Sequence, residues 1–277
     1  MTVIPPPSEG AFDAALARLR SARMGTELMG PLLYALARSV RAERIVEVGA
    51  GATTLFLLRA LADNRADVLR EREALPAKQA LYDAAWAEDE DAGRRHEQAV
   101  LRWLTADPPL VDPGYHTRPY TPRCVSIDDG SSPFSTAGEV ADAAREAGLD
   151  GLLDRRVADF REVAVSLRQG GDRFDLAWLD CGGYLEYRDF LDLYWDLVEP
   201  DGGLLVLHYT LTVPNHERVL TELQEAGARA RRGRFELFSL LEPHKLMQNS
   251  CTLIRRCEKP PARFPLVRAV SLERSGA

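Results

Sequence analysis

The sequence predicts an α/β domain built around a mostly parallel sheet, and three observations support this. Arg44–Val48 is a short, mostly apolar strand that ends in the glycine turn Gly49-Ala50-Gly51, and a helical pattern of leucines follows it. Strand and helix patterns then alternate toward the C-terminus, as in doubly wound sheets. Leu204–Leu207 is apolar at every position, which is typical of a strand buried on both faces of a parallel sheet.

The chain divides into three parts in this interpretation. Residues 1–40 form an N-terminal helical segment, because apolar residues recur at spacings of three or four from Ala11 to Val40, with breaks near Gly25 and Gly30. Residues 41–257 form the main domain. Residues 258–277 contain prolines and arginines and are expected to form a tail.

Further strand and helix patterns follow the glycine turn. Strands are predicted at Arg123–Ile127, Leu153–Ala158, Phe174–Leu179, Leu204–Leu207, Arg234–Leu241 and Ser250–Arg255. Helices are predicted around Ala137–Ala147, Arg161–Leu167, Tyr187–Val198 and Asn215–Ala228. Because the last two strands are separated by a short segment, we expect an antiparallel hairpin at the sheet edge.

Residues 63–121 interrupt this alternation and are predicted to be an insertion, because a usual α/β connection is far shorter. The segment is rich in charge, and helices are expected near Val68–Trp86 and Ala92–Leu104. Two interpretations remain open. The insertion could be a lid that excludes water from a site, or an arm that packs on a second subunit in a homodimer.

Composition excludes several classes of protein. The chain has 277 residues, of which 45% are hydrophobic and 28% are charged, as in ordinary soluble domains. Its net charge of -7 argues against a nucleic-acid partner. The four cysteines are far apart, which disfavours a zinc site or a disulfide framework. No apolar run approaches the ~18 residues of a membrane span, and no secretory signal is visible, so we expect a cytoplasmic protein.

The glycine turn is the first candidate binding site. Gly49, Ala50 and Gly51 let the backbone approach a ligand, and Thr53 or Thr54 is expected to cap the helix that follows. A dinucleotide fingerprint would have a third glycine where Thr54 stands. Glu47 lies at the end of a buried strand and needs a partner. That partner could be an amino-group cation of a ligand, reached directly or through turn amides, or simply neighbouring backbone N–H groups.

Acidic residues also follow the next two strands. Asp128, with Asp129 as second choice, stands where doubly wound folds place a carboxylate on ribose hydroxyls, although an Asp-Asp-Gly turn alone would explain both. Asp159 could accept a hydrogen bond from an adenine amino group while Phe160 packs on the ring. A helix N-cap is the alternative role for Asp159, and the two roles are compatible.

These motifs resemble those of class I S-adenosylmethionine-dependent methyltransferases. Arg44–Leu61 is similar to the first motif of that family, and Phe174–Leu207 is similar to its later motifs. The segment from Met24 to Tyr34 resembles small-molecule O-methyltransferases of the catechol type. The resemblance implies a Rossmann-like, seven-stranded sheet of order 3-2-1-4-5-7-6, and cofactor contacts from Glu47, Gly49, Gly51, Asp128 and Asp159.

The sequence departs from the catechol-type pattern at one position. Those enzymes bind a divalent cation through an Asp after strand four and an Asp-Asn pair after strand five. Asp180 matches the first, but His208-Tyr209 stands where the pair is expected. Because hard cations such as Mg²⁺ prefer oxygen ligands, this pair disfavours magnesium, and we predict no catalytic metal. The alternative is a softer metal on Asp180 and His208, which would need a third ligand that the sequence does not identify.

His208 is the first candidate for chemistry, because it ends a central strand and an imidazole can take a proton from a hydroxyl acceptor. Asp180 could orient His208 or hold the substrate or cofactor. His244, in the turn between the last two strands, is a weaker candidate for the acceptor pocket. A packing role for His208 and simple surface polarity for His244 are the alternatives.

The sequence therefore predicts a methyltransferase that uses S-adenosylmethionine on a small-molecule acceptor, by O-methylation in specialised metabolism, with His208 as base or substrate-positioning residue. Two other classes remain open. One is an NAD(P)-dependent oxidoreductase on a similar fold. The other is a relative of the methyltransferases that has lost catalysis and serves as a binding subunit.

Overall fold

The computed structural model of the chain describes residues 9–20, 26, 28–87, 98, 101–109, 115–116, 118–211, 214–225, 229 and 231–258, with backbone only at 9, 82–87 and 214. The predicted tail at 258–277 lies almost entirely outside these residues, as does most of the helix expected at Ala92–Leu104. The catechol-type entry segment is described only in part, because residues 21–25 and 27 lie outside the described range.

The described strands form a seven-stranded sheet of order β3-β2-β1-β4-β5-β7-β6, which confirms the predicted fold. The strands are β1 Arg44–Val48, β2 Arg123–Ile127, β3 Leu153–Arg156, β4 Leu176–Leu179, β5 Asp201–His208, β6 Phe235–Leu241 and β7 Ser250–Cys257. β1 to β5 pair in parallel, whereas β7 pairs antiparallel with both β5 and β6. The expected terminal hairpin is therefore present at the sheet edge. The predicted β3 was too long, because the chain leaves the sheet at Arg156 and Asp159 already begins the next helix.

Helices cover both faces of the sheet. They are α1 Glu9–Leu19, α2 Met29–Ser39, α3 Ala52–Ala87, α4 Val140–Glu146, α5 Phe160–Gln169, α6 Tyr184–Tyr194 and α7 Pro214–Gln224. Side chains of α1, α2, α3 and α4 pack on one face, around Leu176 and Trp178. Side chains of α5, α6 and α7 pack on the other face, around Val46 and Ala177. Successive side chains of each strand point to opposite faces, so the helices on the two sides bury both faces of the sheet.

The chain forms two compact units, and their boundary falls within α3, between Asn64 and Arg65. The first unit holds the sheet. The described part of the second unit belongs to residues 65–120, close to the predicted insertion at 63–121. In this unit, Glu71 lies 2.6 Å from a ring nitrogen of His116, and Lys78 donates to the carbonyl oxygen of Ala106 while its ammonium lies over the ring of Trp103. Whether the insertion is a lid or a dimer arm stays a prediction.

α3 differs from the sequence prediction in two respects. It is one continuous helix of 36 residues through Pro76, where a first helix and a separate one at Val68–Trp86 were expected. It also begins at Ala52, so neither Thr53 nor Thr54 is its N-cap. The two hydroxyl groups instead point back to Glu47. The described residues contain no helix that combines the length and the apolar character needed to cross a membrane.

Candidate active site

Two adjoining cavities of the sheet-bearing unit lie at the carboxyl ends of the parallel strands. The first, which we call the turn cavity, has a volume of about 350 Å³ and is bordered by the glycine turn Gly49–Gly51, Asp128 and Asp180. The second, the Asp159 cavity, has a volume of about 230 Å³ and is bordered by Asp128, Asp129, Asp159 and Phe160. Both cavities share four lining residues, Gly49, Asp128, Cys181 and Gly182. We call these two adjoining cavities the crevice; they lie at the position where doubly wound sheets bind ligands.

Gly49 is shaped for the close approach of two strand ends. Its φ is +97°, a left-handed conformation that favours glycine, and a Cβ there would lie 2.5 Å from the carbonyl oxygen of Asp180. The N–H of Gly49 donates to the carbonyl of Ile127 at 2.9 Å, and the N–H of Asp180 donates to the carbonyl of Val48 at 2.9 Å. The glycine turn is thus tied to the ends of both neighbouring strands.

Asp128 links the two cavities. Its Oδ2 accepts from the N–H of Ala50 at 3.1 Å, and its Oδ1 accepts from the N–H of Gly130 at 2.8 Å. Asp129 accepts from the N–H of Ser131 at 2.8 Å, and these bonds to Ser131 lower the pKa of its carboxyl group. Both aspartates therefore form turns, as the alternative interpretation expected, and both still line the crevice.

Asp159 is the N-cap of α5, because its Oδ1 accepts from the N–H of Arg161 at 2.7 Å. It also lines the Asp159 cavity beside Phe160, so the capping role and a binding role coexist in the geometry. The guanidinium of Arg161 lies over the ring of Phe160 at 4.6 Å. Capping fixes the direction of the Asp159 carboxylate at the rim of the crevice.

Glu47 is completely buried and does not belong to the described lining of either cavity. Its carboxylate accepts three hydroxyl hydrogen bonds, from Thr53 at 2.7 Å, Thr54 at 2.5 Å and Ser126 at 2.7 Å. Burial raises the pKa of Glu47 to about 7, even though the three hydroxyl groups act to lower it. These hydroxyl partners were missed at the sequence level, where a ligand cation or backbone N–H groups were expected. The parallel register, which places Ser126 beside Glu47, is the signal that points to them.

Asp180 and His208 form a hydrogen-bonded pair, with Oδ1 of Asp180 2.6 Å from Nδ1 of His208. Asp180 lines the turn cavity, whereas the side chain of His208 has no exposed surface and lies behind Asp180, with its ring 5.6 Å from that of Trp178. Nε2 of His208 has no hydrogen-bond partner among the described residues. The carboxylate, not the imidazole, is therefore the member of the pair that faces the cavity.

Other side chains also line the cavity beside Asp180. Phe134 and Tyr209 line the turn cavity together with Gln248 of the β6–β7 turn. Cys181 lines it as well, and burial raises the pKa of its thiol to about 12, so the thiol is protonated at neutral pH. His244 is largely exposed, lies 3.8 Å from Glu242, and is not in the described lining of either cavity. Its contact with an acceptor stays a prediction.

Among the residues that the structure describes, no group of three or more His, Cys, Asp or Glu side chains is arranged to hold a metal ion. The prediction of a metal-free reaction is not tested by this observation, and it rests on the His208-Tyr209 pair alone.

Comparison with known proteins identifies related folds. A family model described as a methyltransferase domain matches residues 46–209, which includes the end of β1, the glycine turn and all of β2 to β5. No curated protein matches the chain.

Several solved structures share the fold. One is the O-methyltransferase TomG from Streptomyces achromogenes, involved in tomaymycin synthesis and solved with S-adenosylmethionine. It is 18% identical, with 92% of each chain covered and a TM-score of 0.56. Another is an O-methyltransferase from Bacillus cereus in complex with S-adenosylhomocysteine, 13% identical, covering 91% of this chain and 93% of that chain with a TM-score of 0.56. A putative O-methyltransferase from Klebsiella pneumoniae is 15% identical over 91% of each chain, with a TM-score of 0.53. At these identities the likeness shows a common fold.

Proposed function

The chain belongs to the methyltransferase domain family, and on that premise we propose that it transfers a methyl group from S-adenosylmethionine to the oxygen of a small molecule. One observation carries this proposal. The carboxylates of Asp128 and Asp159 line one crevice with the glycine turn, at the carboxyl edge of the sheet. Such a crevice has the polar groups, in the right order, for a nucleoside joined to an amino acid.

The residues present fit this group. Asp159 and Phe160 would hold the adenine base, Asp128 would accept hydrogen bonds from the ribose hydroxyls, and the turn Gly49–Gly51 would hold the amino-acid portion. The turn requires glycine at position 49, since a methyl group there would collide with the carbonyl oxygen of Asp180. When bound, the cofactor supplies a sulfonium methyl group that an acceptor oxygen can attack in line.

The chain's own contribution to the reaction is positional and acid–base. Formation of the new oxygen–carbon bond makes the acceptor hydroxyl more acidic, so its proton must leave. The proposed recipient is the Asp180–His208 pair, with Asp180 facing the cavity and His208 behind it. His208 then acts as the base through Asp180 or as a residue that positions Asp180. Holding acceptor and methyl group in line supplies much of the remaining acceleration.

We call the part of the turn cavity beside Asp180 the acceptor end, and its lining favours a small molecule as the methyl acceptor. Phe134, Tyr209 and Leu19 give the turn cavity apolar walls, and Gln248 adds one polar contact. None of the described lining residues of this cavity is a lysine, arginine or histidine, so a phosphorylated or polyanionic acceptor is disfavoured. Specialised metabolism, a cytoplasmic location and a homodimer remain parts of the proposal that rest on the sequence.

Titration calorimetry with S-adenosylhomocysteine tests the proposal. We expect binding in the micromolar range, and Asp128→Ala should weaken it. Absence of binding at millimolar ligand would contradict the proposed function, and tight NADH binding would favour an oxidoreductase instead. Once an acceptor is found by transfer of labelled methyl groups to candidate hydroxyl compounds, unchanged turnover in His208→Ala would refute the role of His208 but not the methyltransferase activity. Full binding without transfer to any acceptor would favour a binding subunit.

A further inference from the structure

Glu47 lies directly beneath the glycine turn without belonging to the described lining of either cavity. A completely buried carboxyl group is costly in its charged form unless hydrogen bonds compensate for the lost water. Here three hydroxyl groups compensate, two from the first turn of α3 and one from β2. These hydrogen bonds reach the glycine turn through the first turn of α3.

The hydroxyl groups connect Glu47 to the binding turn. Thr54 donates to Glu47, and the same hydroxyl oxygen accepts from the N–H of Gly51 at 3.1 Å. Thr53 donates to the other carboxylate oxygen of Glu47, and Thr53 also lines the turn cavity. Gly51 is therefore held in place through Thr54, and the direction of each hydrogen bond is set by the carboxylate, which only accepts.

Protonation of Glu47 would reverse one of these bonds. A neutral carboxyl group carries its own O–H donor, so one of the three hydroxyl groups would have to accept from it and turn its own proton elsewhere. Oε2 of Glu47 accepts from both Thr54 and Ser126, so a proton on Oε2 competes with these two donors. If Thr54 accepts the new O–H, its oxygen receives two donors at once, the carboxyl O–H and the N–H of Gly51, and its own proton must turn away from Glu47. Adding a proton thus rearranges the hydrogen bonds that support the turn.

We propose that Glu47 is a positioning residue whose ionisation fixes the glycine turn, so that binding of the S-adenosyl ligand is linked to release of a proton from Glu47. The inference rests on the proposed function and assigns to Glu47 a role different from direct contact with the ligand. The ammonium group of the ligand brings positive charge to the turn, which favours the carboxylate over the neutral acid.

The charged and titratable surroundings agree with a proton that is close to release at neutral pH. Burial is the main cause that raises the pKa of Glu47 to about 7, and the nearby negative charge of Asp180, directly after β4, contributes to this rise. On β2, the thiol of Cys124 has a raised pKa because of burial and of Glu47 itself, so it remains neutral. On β5, His208 is bonded to Asp180 rather than to Glu47. A ligand that lowers this pKa gains up to tenfold in affinity per pKa unit as the pH rises through it.

The test is titration calorimetry of the whole protein with S-adenosylhomocysteine between pH 6 and pH 8, in two buffers of different ionisation enthalpy. For the wild type, we expect affinity to rise about 3- to 10-fold over this range, with a fraction of a proton released on binding near pH 7. Glu47→Gln, which keeps the shape and an acceptor oxygen, should bind with no such slope. Glu162→Gln, which removes an exposed acid on α5, is the matched control and should keep the wild-type profile.

Ser126→Ala provides a second, directional test. It removes one hydroxyl donor from Glu47 at a buried position outside the described cavity lining, so it should raise the pKa and move the midpoint of the affinity profile to higher pH. A structural defect alone would weaken binding without moving the midpoint. If Glu47→Gln does not fold, the Ser126→Ala shift and the proton count of the wild type still decide.

The outcomes separate this inference from the function on which it rests. A flat wild-type profile, or a wild-type slope retained in Glu47→Gln, would overturn the role of Glu47 and leave the methyltransferase proposal standing. Failure of wild-type protein to bind S-adenosylhomocysteine at every pH would overturn the proposed function itself.

Discussion

The two ends of the crevice are built by different means. At the Asp159 end, each carboxylate accepts a hydrogen bond from an N–H two residues ahead, as Asp128, Asp129 and Asp159 all do. At the Asp180 end, the carboxylate is bonded to His208, 28 residues away on another strand. The first end is organised mainly by short stretches of chain, with one long-range hydrogen bond from Ala50 to Asp128, and the second by the packing of distant strands. This difference explains why the turn-forming roles of the aspartates could be predicted from the sequence, whereas the position of His208 behind Asp180 could not.

Gly49 joins both ends, and its replacement is expected to have the largest effect. Gly49→Ala would place a methyl group 2.5 Å from the carbonyl oxygen of Asp180 at a φ of +97°. We expect the free energy of unfolding, measured in urea, to fall by about 3 kcal/mol. Gly130→Ala is the control. It has a φ of +74° and open space around it, so about 1 kcal/mol is expected. Equal losses in both variants would show that the two strand ends do not need this close approach.

Glu47 sharpens the comparison, because its carboxylate is completely buried, whereas the carboxylates at the Asp159 end line a cavity. In the unfolded chain its carboxyl group ionises near pH 4.5, and in the folded protein at a pKa of about 7. The folded state therefore binds more protons between these values, and the stability that Glu47 contributes below pH 4.5 is lost as the pH rises through 7. The loss should approach about 3 kcal/mol above pH 7.

Urea unfolding at pH 5 and pH 8 measures this effect as the difference between wild type and Glu47→Gln. The wild type should lose stability relative to the variant at the higher pH. A difference that does not change with pH would mean that Glu47 titrates alike in the folded and unfolded chain.

Asp128 tests whether the crevice acts as one site. Asp128→Ala removes the group that both cavities share and that accepts from Ala50. We expect S-adenosylhomocysteine affinity to fall about 100-fold in calorimetry, because turn geometry and ribose hydrogen bonds are lost together. Asp129→Ala, the neighbouring control, should cost less than about threefold. His208→Gln, at the acceptor end, should also leave this affinity nearly unchanged. A large loss of S-adenosylhomocysteine affinity in His208→Gln would contradict the distinction between the two ends.

Asp159 should show the smallest effect. Asp159→Ala removes both the N-cap of α5 and an acceptor at the rim, which should cost about 1 kcal/mol of stability and about tenfold in S-adenosylhomocysteine affinity. Asp159→Asn keeps an acceptor oxygen and a good cap, so both losses should be largely restored. If Asp159→Asn binds S-adenosylhomocysteine as weakly as Asp159→Ala although its stability is restored, the ionised carboxylate itself would be required for binding.

The sequence predicted much of the fold because periodicity and turn residues are local. β1 and β2 were predicted with their observed bounds, and the strand order implied by the resemblance to methyltransferases is confirmed, as is the family. α3 was the main error. Its apolar pattern fades after Leu61 and charged residues dominate beyond it, so a break was expected between Leu61 and Val68, where the helix in fact continues. Because a helix is held together by backbone hydrogen bonds, it can continue where the side-chain pattern no longer predicts a helix.

What the sequence by itself determined is which residue types end each strand. Parallel strands place their carboxyl ends at one edge, so Gly49, Asp128, Asp159 and Asp180 had to meet there once the strand order was known. Only the tertiary structure decided which side of the edge each side chain faces. It placed Glu47 under the turn among three hydroxyl groups, and His208 behind Asp180 rather than in the cavity. The physical reason is that the direction of a side chain depends on strand register and on the helices packed against each face, which residues far apart in the chain establish together.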